Sequence, residues 1–243
     1  MKSTNNESNP FSMDDFEKGL MLAGLISPNT IEELKQRTIL ENFEGVQKAS
    51  SGAQYFKRVV LAAKVASELY SEPTFGRVKF QKLVYLCEHV CQLHTQHRYK
   101  KFAAGPFDSK FMHSIEKEFE KQKWFKVEKE KKGTITRSKY VPLSQCENFK
   151  PYYDRYFAQN VPSINHIIDI FRKEKTDFTE IAATLSACYF EIQQKNDLLS
   201  EKLLLDRFYS WSKEKERFDK KQVLFIWQWL KDNNIINIEI ANY

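Results

Sequence analysis

The sequence predicts a mainly α-helical protein: a helical bundle with a small β-hairpin, winged-helix-like, followed by a second helical unit. Three observations predict it. Apolar residues recur at three- and four-residue spacing through most of the chain. Only seven of 243 residues are glycine, less than half of the ~7% of average usage. Period-two alternation is confined to residues 124–143 and to the closing Ile236, Ile238 and Ile240. With 19 Phe, 11 Tyr and 4 Trp, the chain has ample apolar surface to bury and reads as folding rather than disordered.

Residues 1–52 read as an N-terminal extension. After a polar start come two short helices, Asp14 to Leu25 and Ile31 to Phe43, and then a small, polar linker from Gly45 to Gly52. The first compact unit, 53–145, opens on a helix over Tyr55–Tyr70 marked by Val59, Leu61, Ala62, Val65 and Leu69. Glu72-Pro73 and Gly76 break it. The next helix, Lys79 to Leu93, carries Phe80, Leu83, Val84, Cys87, Val90 and Cys91, a stripe wide enough to make it central. Ala103-Ala104-Gly105-Pro106-Phe107 reads as a tight turn, since glycine permits unusual backbone angles and proline fixes φ and cannot donate. Asp108 or Ser109 then caps a helix to Lys121 that buries Phe111, Met112, Ile115 and Phe119. Residues 124–130 and 134–143 form the hairpin, with its turn at Lys131-Lys132-Gly133.

The second unit, 146–243, is helical. Its helices start at Pro151, at Pro162 in a first-turn position, at a capping box of Asp177 and Glu180, at Ser200 and at Asp219. The last shows Val223, Leu224, Trp227 and Leu230, with Trp229 and Phe225 on other sides. That arrangement suits either a helix buried on two sides or an exposed aromatic anchor for a partner, a choice that Tyr152, Tyr153 and Tyr156 also raise.

The formal net charge is +6 and is unevenly spread. Residues 117–139 hold nine bases (Lys117, Lys121, Lys123, Lys126, Lys129, Lys131, Lys132, Arg137, Lys139) against Glu118, Glu120, Glu128 and Glu130. A local positive field of this kind attracts phosphate backbones or an acidic partner, although interleaved glutamates also suit a plain solvated face. Lys121, Lys123, Lys126, Lys129, Lys131, Lys132, Arg137 and Lys139 are the candidate nucleic-acid contacts, made to phosphates and not to bases. No apolar run approaches the roughly 20 residues of a membrane span. The N-terminus lacks the apolar core of a signal peptide. Four scattered cysteines suit a reducing cytoplasm better than a disulfide framework.

Both glycine-rich phosphate loops are excluded, as are G-x-S-x-G, H-E-x-x-H and C-x-x-C. Cys87, Cys91 and His94, followed by His97, have a spacing that could surround Zn²⁺, but buried cysteine more often packs as a small hydrophobe. A Cys–His nucleophile pair lacks an orienting acid. Asp108 with Glu130 and Lys132 imitates a Mg²⁺ nuclease set, of a kind that any chain with 32 acids yields by accident. No catalytic residue, metal ligand or cofactor is assigned.

Phe75-Gly76-Arg77-Val78-Lys79-Phe80-Gln81-Lys82-Leu83-Val84-Tyr85-Leu86 resembles the K-L-Q-K-L-L-Y signature of the Panacea-type domain, formerly a domain of unknown function. Ala103-Ala104-Gly105-Pro106-Phe107-Asp108 is similar to that family's G-P turn before a helix. The variant with Gly-Arg ahead of the lysine resembles segments that accompany type I specificity or methylase subunits of restriction–modification systems. The stretches 181–185, 208–211 and 227–230 are similar to the C-terminal part of that variant, so the likeness spans about 53–240. It implies a cytoplasmic binding protein without catalytic residues: an accessory module of a restriction–modification or phage-defence system whose partner is another subunit or DNA, or alternatively an antitoxin that captures a toxin. A metal-dependent nuclease is the rival from another class. Phe80 stands where family members carry leucine, and the chain is longer and more basic than a minimal antitoxin, which favours the restriction-linked variant. The motif residues Arg77, Lys79, Gln81, Lys82, Tyr85, Gly105, Pro106, Phe107 and Asp108 would hold the fold or line a partner groove, with Gln81 tying the Gly105-Pro106 turn to its helix and Arg77 pairing with Asp108 or a backbone carbonyl.

Overall fold

A computed structural model describes residues 52–93, 98–132 and 135–236. The two expected helices before residue 44, the linker over 45–51, His94, His97, the Gly133 turn and the Ile238–Ile240 strand lie outside them. Among the described residues there are eight α-helices and two small antiparallel sheets. The mainly helical fold class with a hairpin is therefore the observed one. No described helix is long and apolar enough to cross a membrane.

Helix α1 covers residues 52–69 and buries Val59 to Ala63, Val65, Ala66 and Leu69. Helix α2, Arg77–Val90, is buried from Lys79 to Glu88, as its broad apolar stripe requires. Strands β1 (Lys100–Phe102) and β2 (Gly105–Phe107) pair around Ala103-Ala104. The expected tight turn is thus the bend of a miniature hairpin. Two exposed lysines in a three-residue strand leave no periodicity from which to read β1. Helix α3 (Ser109–Lys121) buries Phe111, Met112, Ile115 and Phe119, and the Asp108 side chain caps it by accepting from Phe111 N. The large hairpin comes next as β3 (Phe125–Lys132) and β4 (Ile135–Pro142).

Helices α4 (Lys150–Phe157), α5 (Val161–Phe171), α6 (Thr176–Gln194), α7 (Glu201–Tyr209) and α8 (Lys220–Asp232), with a 3₁₀ turn over Lys213–Arg217, complete the bundle. Ser200 and Asp219 cap α7 and α8 through their side chains. The capping box at α6 does not form. Its N-cap is Lys175, without a side-chain bond, and Glu180 is buried against Lys215 instead. In α8, Trp227 is buried and Trp229 stands edge-on to Phe171 and Phe178 at 5.0 and 4.9 Å, whereas Phe225 is exposed.

The boundary expected at residue 146 separates no cores. Residues 54–243 cluster as one compact unit, because α2 from the first half packs on α5 and α6 from the second. Phe80 lies among Phe75, Phe119 and Tyr140, so β4 supplies the ring that fills around it.

Gly105 is the one described glycine in the left-handed region, at φ +96, and a Cβ there would lie 2.5 Å from Thr184 Oγ1 on α6. Gly105→Ala should therefore cost about 2 kcal/mol or more, read from urea denaturation. Adding Thr184→Ala should recover only part of the loss, since the backbone strain remains. A cost below ~0.5 kcal/mol would show that β2 is not wedged against α6.

Candidate functional site

Most motif residues point inward. Arg58, on α1, is the centre of the first group. Its Nε and Nη2 donate to the two carboxylate oxygens of Glu88 at 2.6 and 3.1 Å, and its Nη1 donates to Asp108 Oδ2 at 2.8 Å. Tyr99 Oη donates to Glu88 Oε2 at 2.5 Å, and Arg98 N donates to Asp108 Oδ2. The guanidinium lies 3.9 Å from the Phe111 ring centroid. Burial opposes ionisation of Arg58 and of Asp108. Even so, Glu88 and Asp108 raise the guanidinium above its ordinary value, and the Phe111 amide with Arg58 holds the Asp108 carboxyl below its own. Arg77 does not pair with Asp108. It ion-pairs at 2.9 Å with Glu116 of α3, because Arg58 already fills the space beside Asp108.

A second group is built on lysines. Lys82, fully buried, donates from Nζ to Pro106 O at 2.6 Å, so it is Lys82 and not Gln81 that ties the Gly105-Pro106 turn to α2. Gln81 lies one residue round the helix, beside Tyr99, Asp108 and Phe111. Glu180 of α6 accepts from Lys215 at 2.7 Å and from Arg217 at 3.2 Å. Lys79 donates to Thr74 Oγ1, Arg172 O and Glu174 O, closing the carbonyl end of α5. Burial pulls the Lys82 ammonium down to about 7, with Lys215 adding to the effect, and pulls Lys79 down to about 8. Tyr85 and Phe107 are packed against Tyr99 and Phe102 respectively. Composition gave no sign of Arg58 or Lys215, each of which reads as an ordinary surface charge until its partners are known, and Glu180 reads as half of a capping box.

Cys87 is buried and its thiol is raised well above the usual range, and burial pushes Cys91 to about 11. Both match the packing role of buried cysteine. No group of three or more His, Cys, Asp or Glu placed to hold a metal occurs among the described residues.

The hairpin sorts its charges by strand alternation. Register runs from Phe125↔Pro142 to Lys132↔Ile135. One face therefore carries Lys126, Glu128 and Glu130 opposite Val141, Lys139 and Arg137, with Lys126 Nζ 2.6 Å from Glu128 Oε1. This face mixes two carboxylates with its bases, and one of them is already paired to Lys126. The other face packs Phe125, Val127 and Tyr140 at its base and carries Lys129 and Lys131 opposite Ser138 and Thr136, with no carboxylate. Lys121 and Lys123 sit before the hairpin, at the end of α3 and in the turn after it. The eight candidate contacts therefore do not form one patch: Lys126, Lys132, Arg137 and Lys139 share a face with Glu128 and Glu130, and Lys129 with Lys131 stand on the face without a carboxylate.

No family model matches the sequence, and no curated protein is significantly similar to it.

A lysine whose folded value lies below its unfolded one binds fewer protons in the native state, so stability rises with pH between the two values. Between pH 7 and about 8.5 the Lys82 contribution should make the urea midpoint climb. In Lys82→Met the climb should flatten. A wild-type midpoint that is level or falls across this window would contradict a buried, charge-averse Lys82.

Proposed function

We propose that this chain is a non-catalytic binding module of a bacterial restriction–modification or phage-defence system that grips nucleic acid by its phosphates through one face of the β3–β4 hairpin. The restriction or defence setting rests on the Panacea-like sequence. The mode of contact rests on one observation: Lys129 and Lys131 share an exposed face with Ser138 and Thr136, and no carboxylate stands among them. Cations on a protruding two-stranded element can follow a phosphate backbone without reading bases. Over residues 52–243 there are 33 Lys and Arg against 24 Asp and Glu, a surplus that favours a polyanionic target. The nuclease reading draws no support from Asp108, whose Oδ1 accepts from Phe111 N and whose Oδ2 accepts from Arg58 and Arg98 N.

Binding of duplex DNA, followed by fluorescence anisotropy, should weaken steeply with salt. Lys129→Ala with Lys131→Ala should lower the log–log salt slope by about two, at ~0.9 per phosphate contact. Lys126→Ala should leave it nearly unchanged, because Glu128 already neutralises that ammonium. DNA binding that is absent, or whose slope ignores Lys129 and Lys131, would leave the antitoxin reading in front.

A further inference from the structure

A second surface lies away from the hairpin, where β1 meets α6 and the segment after α7. Lys100, Lys101, Pro106, Phe190, Gln194 and Trp211 line a cleft of about 210 Å³. That is below the ~300–1,000 Å³ of small-molecule sites, and it leaves room for one bulky side chain. Its walls are fixed by hydrogen bonds: Trp211 Nε1 donates to Phe102 O at 2.9 Å and Ser212 Oγ to Ala103 O at 3.0 Å, so β1 and the end of α7 hold the cleft open between them.

The rim is cationic. Glu191 is a single carboxylate shared by Lys101 at 2.8 Å, Lys195 at 3.3 Å and Arg207 at 3.9 Å. Arg207 reaches a second carboxylate, Asp197, at 3.5 Å, and exposed Lys100 continues the same strand. Two acids thus answer four bases, and the side chains of Lys101 and Lys195 are about half exposed, at 52% and 51%. Phe102 adds an exposed ring beside the cleft.

We infer that this cleft docks an acidic segment of a partner protein, with one aromatic or large aliphatic side chain seated between Pro106, Phe190 and Trp211 and carboxylates lying over Lys100, Lys101, Lys195 and Arg207. An apolar anchor in a small pocket ringed by complementary charge is how compact peptide sites gain both affinity and orientation. Single-stranded nucleic acid fits less well. It needs successive free ring faces on which to stack bases, and here the Trp211 ring already carries the Lys101 ammonium at 4.9 Å. The cleft uses none of the hairpin residues, so its occupancy stands apart from phosphate binding by Lys129 and Lys131.

The test is selection of a random 12-residue peptide display library on the full chain, with affinities then measured for the enriched peptides and for a fluorescent (dT)₁₂ strand. Enriched peptides should be rich in Asp and Glu around a single Phe, Trp, Leu or Met. Lys100→Glu with Lys101→Glu should weaken them at least about tenfold, with far-UV circular dichroism and the melting temperature confirming a folded variant. Lys129→Ala with Lys131→Ala should leave peptide affinity unchanged. Three results would overturn the inference: no enrichment of acidic sequences, enriched peptides that bind the Lys100/Lys101 variant as tightly as the parent, or (dT)₁₂ binding that is lost in that variant while peptide binding is not.

Discussion

The interior of this protein is organised around a guanidinium enclosed by two carboxylates. Arg58 sits on α1, Glu88 on α2 and Asp108 at the cap of α3, and the three side chains are almost fully buried. Removing such charges from water costs several kcal/mol per ion, and only close, well-formed hydrogen bonds recover it. The fork of Arg58 meets that demand with Glu88 on two donors and Asp108 on a third. This makes the network a locator more than a source of net stability. It fixes where α3 begins, and through Arg98 N and Tyr99 it fixes how the chain returns to β1.

The placement of the β1 surface derives from that network and its neighbours. Lys82 holds the carbonyl of Pro106, and Gly105 lies tight against Thr184 of α6. Strand β1, paired to β2, is thereby carried to the edge of α6, where Lys101 meets Glu191 and Trp211. The hairpin is held separately, by Tyr140 and Phe125 against Phe80 and Phe119. Its tip extends beyond these aromatic contacts and carries Lys129 and Lys131.

Much of the helical architecture was legible because it rests on periodicity and caps. The buried face of α3 and the caps at Asp108, Ser200 and Asp219 could be read directly, since each depends on residues within a turn of one another. What escaped depends on partners distant in sequence. Glu180 looks like half of a capping box until Lys215, 35 residues away, occupies its carboxylate. Gln81 and Lys82 are adjacent, and only the rotation of α2 decides which meets Pro106. The break at 146 fails for the same reason, as local patterns do not reveal that α2 and α6 share a core. The hairpin was visible as alternation and its charge was countable, but only register separates Lys126, matched by Glu128, from the uncompensated Lys129.

The buried charges around Arg58 hold α1, α2 and the start of α3 together. Urea unfolding of Arg58→Met addresses that claim most directly, because the variant preserves bulk while stranding two buried carboxylates. A loss of about 3–5 kcal/mol, largely recovered when Glu88→Met and Asp108→Asn are added, is the expected result. A loss under ~1 kcal/mol would contradict it, since Glu88 and Asp108 would then tolerate solitude and Arg58 would have some role other than holding the three helices in register.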